Sequence, residues 1–158
     1  MLFAFCHWLA TSRIGIIMRD STWDFAIVEV VHLLALAIFG GAALLVNLRF
    51  LGLVFKAQTR SQVARELLPL TGGGVIVMFI SGFLMMANGP VRYYYNPAFR
   101  LKMALFLVAL LVHFFLQIKV ANEKAIEEKS PVWLKFGAIV SVLLWLSIGL
   151  AGRAIGYV

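Results

Sequence analysis

The chain has 158 residues, of which 63% are apolar and only 13% are charged, and its mean hydropathy is +0.96. Soluble domains carry about 45–50% apolar and about 25% charged residues, so this composition excludes a soluble enzyme, a disordered chain and a secreted disulfide scaffold. The single cysteine, Cys6, permits no internal disulfide. We assign the net charge of +7 to membrane topology and anionic lipid rather than to nucleic acid. The sequence therefore predicts an integral membrane protein.

The N-terminal segment, residues 1–20, is apolar but too short to cross a membrane. It has no basic leader and no cleavage site of small residues, so we expect an interfacial helix rather than a cleaved signal peptide. Cys6 and His7 lie in this segment. His7 is a candidate metal or haem ligand if the segment folds over the end of the protein.

Four longer apolar stretches follow, over about residues 22–48, 67–89, 97–122 and 131–153. Each reaches the roughly 17–25 residues that a membrane helix needs when its flanking Lys and Arg side chains snorkel. We predict an all-α, single-domain, integral membrane four-helix bundle over residues 1–158, with both termini on one side. The charged residues 123–129 are predicted to extend the third long helix into water.

The basic residues favour one orientation. Eight of the 14 Lys and Arg residues lie on the side of the first and third loops, and six lie on the side of the termini. The positive-inside rule then places those loops in the cytoplasm and both termini in the periplasm of a bacterial inner membrane.

Few ionisable residues lie inside the predicted spans, and such residues are functional candidates because they are costly there. The first span has Glu29 and His32, three residues apart and hence on one helical face. The third span has His113 and Gln117, four apart. We expect the first-span face to continue into the bundle interior through Leu36, Gly40, Ala43 and Asn47.

The two histidines are predicted to lie at similar depth. His32 is nine residues, about 14 Å, beyond Trp23, and His113 is eleven residues, about 17 Å, beyond Lys102. Two neutral imidazoles on facing helices are the ligands that a non-covalent haem b takes. Its propionates need cations or hydrogen-bond donors, and the candidates are Arg92, Arg100, Arg153 and Tyr95.

The leading prediction is thus a membrane b-type cytochrome with one haem per chain. His32 and His113 would ligate the iron, and Glu29 would tune a ligand or relay a proton. Its electron partner would be quinone or a periplasmic redox protein, and small-residue stripes favour a homo-oligomer. One alternative is a copper- or zinc-binding or transport protein that uses Glu29, His32 and His113. Another is a structural or assembly subunit without a cofactor.

Four segments carry a family resemblance: Val28–Leu34, Asn47–Gly52, Tyr95–Lys102 and Ala151–Tyr157. Together they resemble a family of small bacterial inner-membrane proteins of unknown function. The resemblance implies a bacterial source and a four-helix membrane bundle, and it brings no catalytic assignment. In architecture alone the layout is similar to cytochrome b561-type and copper-resistance D-type membrane proteins. A b561-type chain has two histidine pairs, whereas three histidines in all allow one such pair here.

Overall fold

The computed structural model describes residues 1–123 and 130–157. The described chain is helical and contains no strand, as the sequence predicts. The helices are α1 (Leu2–Thr11), α2 (Arg13–Asp20), α3 (Thr22–Phe50), α4 (Arg60–Ala87), α5 (Pro90–Tyr95), α6 (Pro97–Ala121) and α7 (Val132–Ala154). Four of them, α3, α4, α6 and α7, are long and apolar enough to cross a membrane.

Side-chain caps define where three of the four long helices begin, and α7 begins after Pro131 without one. The Ser21 hydroxyl accepts a hydrogen bond from the backbone amide of Asp24, and the Asn96 side chain accepts one from the backbone amide of Phe99, so these residues cap α3 and α6. Helix α4 begins at Arg60, seven residues before the predicted span, because Thr59 caps it. The sequence limit had been set by charge, which marks the end of the apolar stretch and not the end of the helix.

The four long helices form two closely packed pairs. Helix α3 packs along α4, and α6 packs along α7, while α4 with α6 and α3 with α7 join the pairs. Gly74 makes the closest approach, since a Cβ there would lie 2.8 Å from the Cβ of Phe39 and 3.2 Å from its Cα. The pairing brings one face of each long helix into a common interior.

The interior face of α3 differs from the predicted one. Its buried residues are Ala35, Phe39, Ala42, Ala43, Val46, Asn47, Arg49 and Phe50. Glu29 and Leu36 are exposed, so the expectation that they face the interior is wrong, although Ala43 and Asn47 are buried as expected. The buried residues recur at steps of three and four, which average the 3.5-residue spacing of left-handed helix bundles. The predicted face has nearly the same spacing but is rotated at its start, where Leu36 lies next to the buried Ala35, and it joins the buried face at Ala43 and Asn47.

The N-terminal helices cover one end of the bundle. Helix α1 packs on α5, and α2 packs on α3 and α4. Leu9 and Met18 are buried against the end of α4, and the Asn88 side chain donates a hydrogen bond of 2.8 Å to the Met18 carbonyl. This segment is therefore attached to the bundle as well as carrying exposed apolar side chains such as Trp8.

Backbone carbonyls at the opposite end are bound by arginines. The Arg49 guanidinium donates to the Gln58 carbonyl through both Nε and Nη2, at 3.1 and 2.6 Å. Arg65 donates to the carbonyl of Ala121, the last residue of α6. The predicted extension of that helix into water falls mainly on residues 124–129, outside the described residues.

Candidate functional site

His113 lies at the centre of the bundle with one nitrogen unpaired. Its side chain is 1% exposed, and its Nε2 atom is buried without a hydrogen-bond partner in the described part of the chain. Three aromatic rings surround it edge-on, those of Phe39, Phe114 and Trp145, at centroid distances of 6.0, 5.4 and 6.3 Å. The indole Nε1 of Trp145 is also buried and unpaired among the described residues. Buried polar atoms are rarely left unpaired, and the third such atom of the described residues is Asn47 Oδ1, further along α3, so His113 and Trp145 together mark a candidate ligand site.

A hydrogen-bonded chain through Gln117 lies next to His113. Gln117 is one turn further along α6 and acts on the His113 ring. The Gln117 amide nitrogen donates to the Ala64 carbonyl at 3.0 Å, and its carbonyl oxygen accepts from the Thr71 hydroxyl at 3.0 Å. Both Gln117 and Thr71 are fully buried. The side chain beside the imidazole is therefore fixed by its bonds to α4.

A second polar group lies nearer the end of the bundle that holds the termini. The His32 Nδ1 atom is 2.9 Å from the Ser81 hydroxyl, and the Ser81 hydroxyl also donates to the Val77 carbonyl at 2.6 Å. The His32 ring packs on Gly82, where a Cβ would lie 3.3 Å from its Cε1 atom. The charge of Lys102 on α6 acts on this ring. We call His32, Ser81, Gly82, Lys102 and Gly152 the outer polar layer.

The structure separates the two histidines in depth. His113 contacts Phe39, which is seven residues beyond His32 on α3, an axial offset of about 10 Å. The expectation of equal depth took Lys102 as the membrane surface. In the structure Lys102 is half-buried and lies against Gly152 of α7, so counting from it placed His113 too shallow. The packing therefore does not bring the predicted ligand pair face to face.

The predicted propionate-binding residues lie outside the interior. Arg92, Arg100, Arg153 and Tyr95 are all exposed at the end of the bundle that holds the termini. Arg92 lies over the Tyr93 ring at 5.1 Å, and Arg153 lies over the Tyr157 ring at 5.5 Å. At this end of the bundle Lys102 is half-buried, and the sequence signals it by its place on the helical stripe of Phe106, Ala109 and His113.

Two further candidates face away from the interior. Glu29 is exposed on α3, and His7 is exposed on α1. Among the described residues no group of three His, Cys, Asp or Glu side chains lies close enough to hold a metal ion. The structure therefore does not assemble the Glu29, His32 and His113 set of the copper or zinc alternative.

An apolar groove runs between α4 and α6 on the outer face of the bundle. It is lined by Val75, Ile76, Phe79, Ile80, Phe106 and Leu110. The Phe106 ring lies between this groove and the interior, since its centroid is 6.0 Å from that of Trp145.

The fold, the site around His113 and the outer polar layer define a small all-α protein with four helices suited to crossing a membrane. Over residues 5–158 the chain matches the model of a family of unknown function, DUF6644. The protein belongs to this family, which agrees with the resemblance to an uncharacterised family. No curated protein and no solved structure matches the chain.

Proposed function

We propose that this protein is a membrane b-type haem protein that binds one haem b per chain without a covalent bond and transfers electrons. The observation that carries the proposal is the unpaired, buried Nε2 atom of His113. A buried imidazole packed beside Gln117, with Nε2 unpaired, offers that nitrogen as a ligand for a haem iron. The bound haem would supply one-electron redox chemistry.

The packing around His113 favours an aromatic, apolar ligand and requires local movement. Phe39, Phe106 and Trp145 provide the flat apolar contacts that a macrocycle takes. The Phe39 ring is fully buried against His113, so ligation at Nε2 requires Phe39 and Trp145 to shift aside. Because His32 lies about 10 Å away along the bundle, the proposal assigns iron ligation to His113 and places His32 beside Lys102.

A reduced-minus-oxidised visible spectrum of detergent-purified protein from haem-replete cells tests this proposal, with metal analysis of the same sample. We expect a haem b spectrum that is lost in His113→Ala and retained in His32→Ala. The matched control is His7→Ala, since His7 is exposed on α1. A colourless wild-type protein, or full haem retention by His113→Ala, would overturn the proposal.

Other results of that experiment identify the competing functions. Haem loss from both His113→Ala and His32→Ala would support joint ligation by the two histidines, as the sequence predicts. Stoichiometric copper or zinc without a Soret band would indicate metal binding. A protein free of haem and metal would indicate a structural or assembly subunit.

The proposed electron partner is a quinone or a periplasmic redox protein. The apolar groove between α4 and α6 supports the quinone, because it opens to the side of the bundle and ends at Phe106. Lipid-soluble ligands commonly bind in apolar clefts that lead to a few polar groups.

The proposed setting is the inner membrane of a bacterium, with the first and third loops in the cytoplasm and both termini in the periplasm. The eight-to-six distribution of Lys and Arg supports this orientation. We also propose a homo-oligomer, since Gly41, Gly73 and Gly149 are exposed on the long helices with open space around them. Small residues of this kind let helices of a second copy approach closely.

A further inference from the structure

Lys102 is a cation inside the bundle without a counter-charge. Its side chain is half-buried in α6, and it forms no hydrogen bond or ion pair with any residue that the structure describes. Ionisable side chains in membrane helices normally pair with one another, with backbone carbonyls or with a ligand. A ligand anion would therefore give Lys102 the partner that neither a side chain nor a backbone carbonyl of the described residues provides.

Glycines on the neighbouring helices create the space around it. A Cβ at Gly152 of α7 would lie 3.5 Å from Lys102 Nζ and 3.7 Å from its Cε, so the lysine lies along a surface that has no side chain. Gly82 of α4 admits the His32 ring in the same way, with Cε1 at 3.3 Å. All four long helices thus contribute to the outer polar layer, and it contains two nitrogen-bearing side chains.

The layer has no acid of its own. Its members are a lysine, a histidine, a serine and two glycines, and the nearest carboxylate along α3, Glu29, is exposed on the outside of the helix. The Ser81 hydroxyl donates its proton to the Val77 carbonyl and so meets His32 as an acceptor. With its Nδ1–H bonded to Ser81, His32 keeps Nε2 as an acceptor, and the ammonium of Lys102 is the charged donor of the layer.

We propose that Lys102, in the outer polar layer, binds the anionic oxygens of an amphipathic membrane ligand, with its carboxylate or phosphate on the ammonium and its apolar part in the bundle. One source is a haem propionate, in which case the inference rests on the proposed function. The other is the headgroup phosphate of an anionic lipid. Both supply the same chemistry, an oxyanion at the end of an apolar body.

The haem arm compares binding of haem b with binding of its dimethyl ester, which lacks carboxylates, by Soret titration of the purified protein. We expect the wild type to bind haem about 10-fold or more tightly than the ester, since hydrogen bonds to charged groups have this strength. Lys102→Met should abolish the difference, and Lys102→Arg should keep most of it. Lys135→Met is the matched control, because Lys135 is exposed at the opposite end of the bundle.

The lipid arm measures phosphatidylglycerol and phosphatidylcholine retained by the same four proteins in native mass spectrometry. Preferential retention of phosphatidylglycerol that is lost only in Lys102→Met would identify a lipid headgroup. If no protein binds haem but this lipid pattern holds, the proposed function fails and the anion site stands. If Lys102→Met behaves as the wild type in both arms while remaining folded by circular dichroism, the anion site is overturned.

Discussion

At the scale of single residues, the polar side chains inside the bundle divide into satisfied and unsatisfied groups. Gln117 and Thr71 bond to each other and to α4 carbonyls. His113 and Trp145 each keep a buried nitrogen without a described partner, and so does the Oδ1 atom of Asn47, whose amide nitrogen donates to Ala43 and Ser141 at 2.8 and 3.2 Å. The first group fixes how the helices pack, and the second is available for a ligand.

The Gln117 chain gives a prediction about stability at this scale. Gln117→Leu removes the interhelical bonds to Thr71 and Ala64, so we expect a loss of about 1–3 kcal/mol in the free energy of unfolding. Thr71→Val removes one of them and should cost about half as much. Thermal and denaturant unfolding in detergent measure both.

The matched control for this pair is Gln62→Leu. Gln62 is exposed and bonds within its own helix to Glu66, so this substitution should change stability by less than about 0.5 kcal/mol. If Gln117→Leu and Gln62→Leu lower the free energy of unfolding equally, the buried hydrogen bonds of Gln117 contribute nothing specific to stability.

At the scale of elements, the α3–α4 pair depends on one close approach. Gly74→Ala places a methyl group 2.8 Å from the Phe39 Cβ, so the helices must move apart, at a cost of about 1–3 kcal/mol. Gly73→Ala adds the same methyl where nothing lies within 4 Å. It should be neutral or stabilise the helix by up to about 1 kcal/mol. Unfolding of the two variants under identical conditions measures this difference in stability. Equal stability of Gly74→Ala and Gly73→Ala would contradict the prediction.

Displacement of Phe39 also links this interface to the candidate site, because the same ring contacts His113 and Trp145. We therefore expect that Gly74→Ala alters the His113 environment while Gly73→Ala leaves it unchanged. The helix pair positions the site through this one ring.

At the scale of the whole molecule, the termini share one end of the bundle, because four crossings return the chain to the side on which α3 begins. A fusion of alkaline phosphatase at the C-terminus should be active, and a fusion in the loop after Leu51 should be inactive. A cytoplasmic fluorescent reporter should give the opposite pattern. The reverse result at both positions would invert the proposed orientation.

Much of the fold could be predicted because it follows from local chemistry. The apolar stretches and the capping residues Ser21 and Asn96 identify α3 and α6, and the third-span residues His113 and Gln117 are buried. The predicted span begins later than α4 because the first two turns of α4 are charged, and α5 lies outside the predicted spans because Pro90–Tyr95 is too short to show periodicity.

The sequence by itself determined four long apolar helices suited to crossing a membrane, because apolar content and helix length depend only on which residues follow one another. Only the tertiary structure decided that Glu29 faces outward, that Lys102 is half-buried, and that His113 is about 10 Å deeper than His32. These facts depend on helix rotation and on how far one helix slides along another. Contacts between distant residues, such as Phe39 on Gly74 and His113, set both quantities.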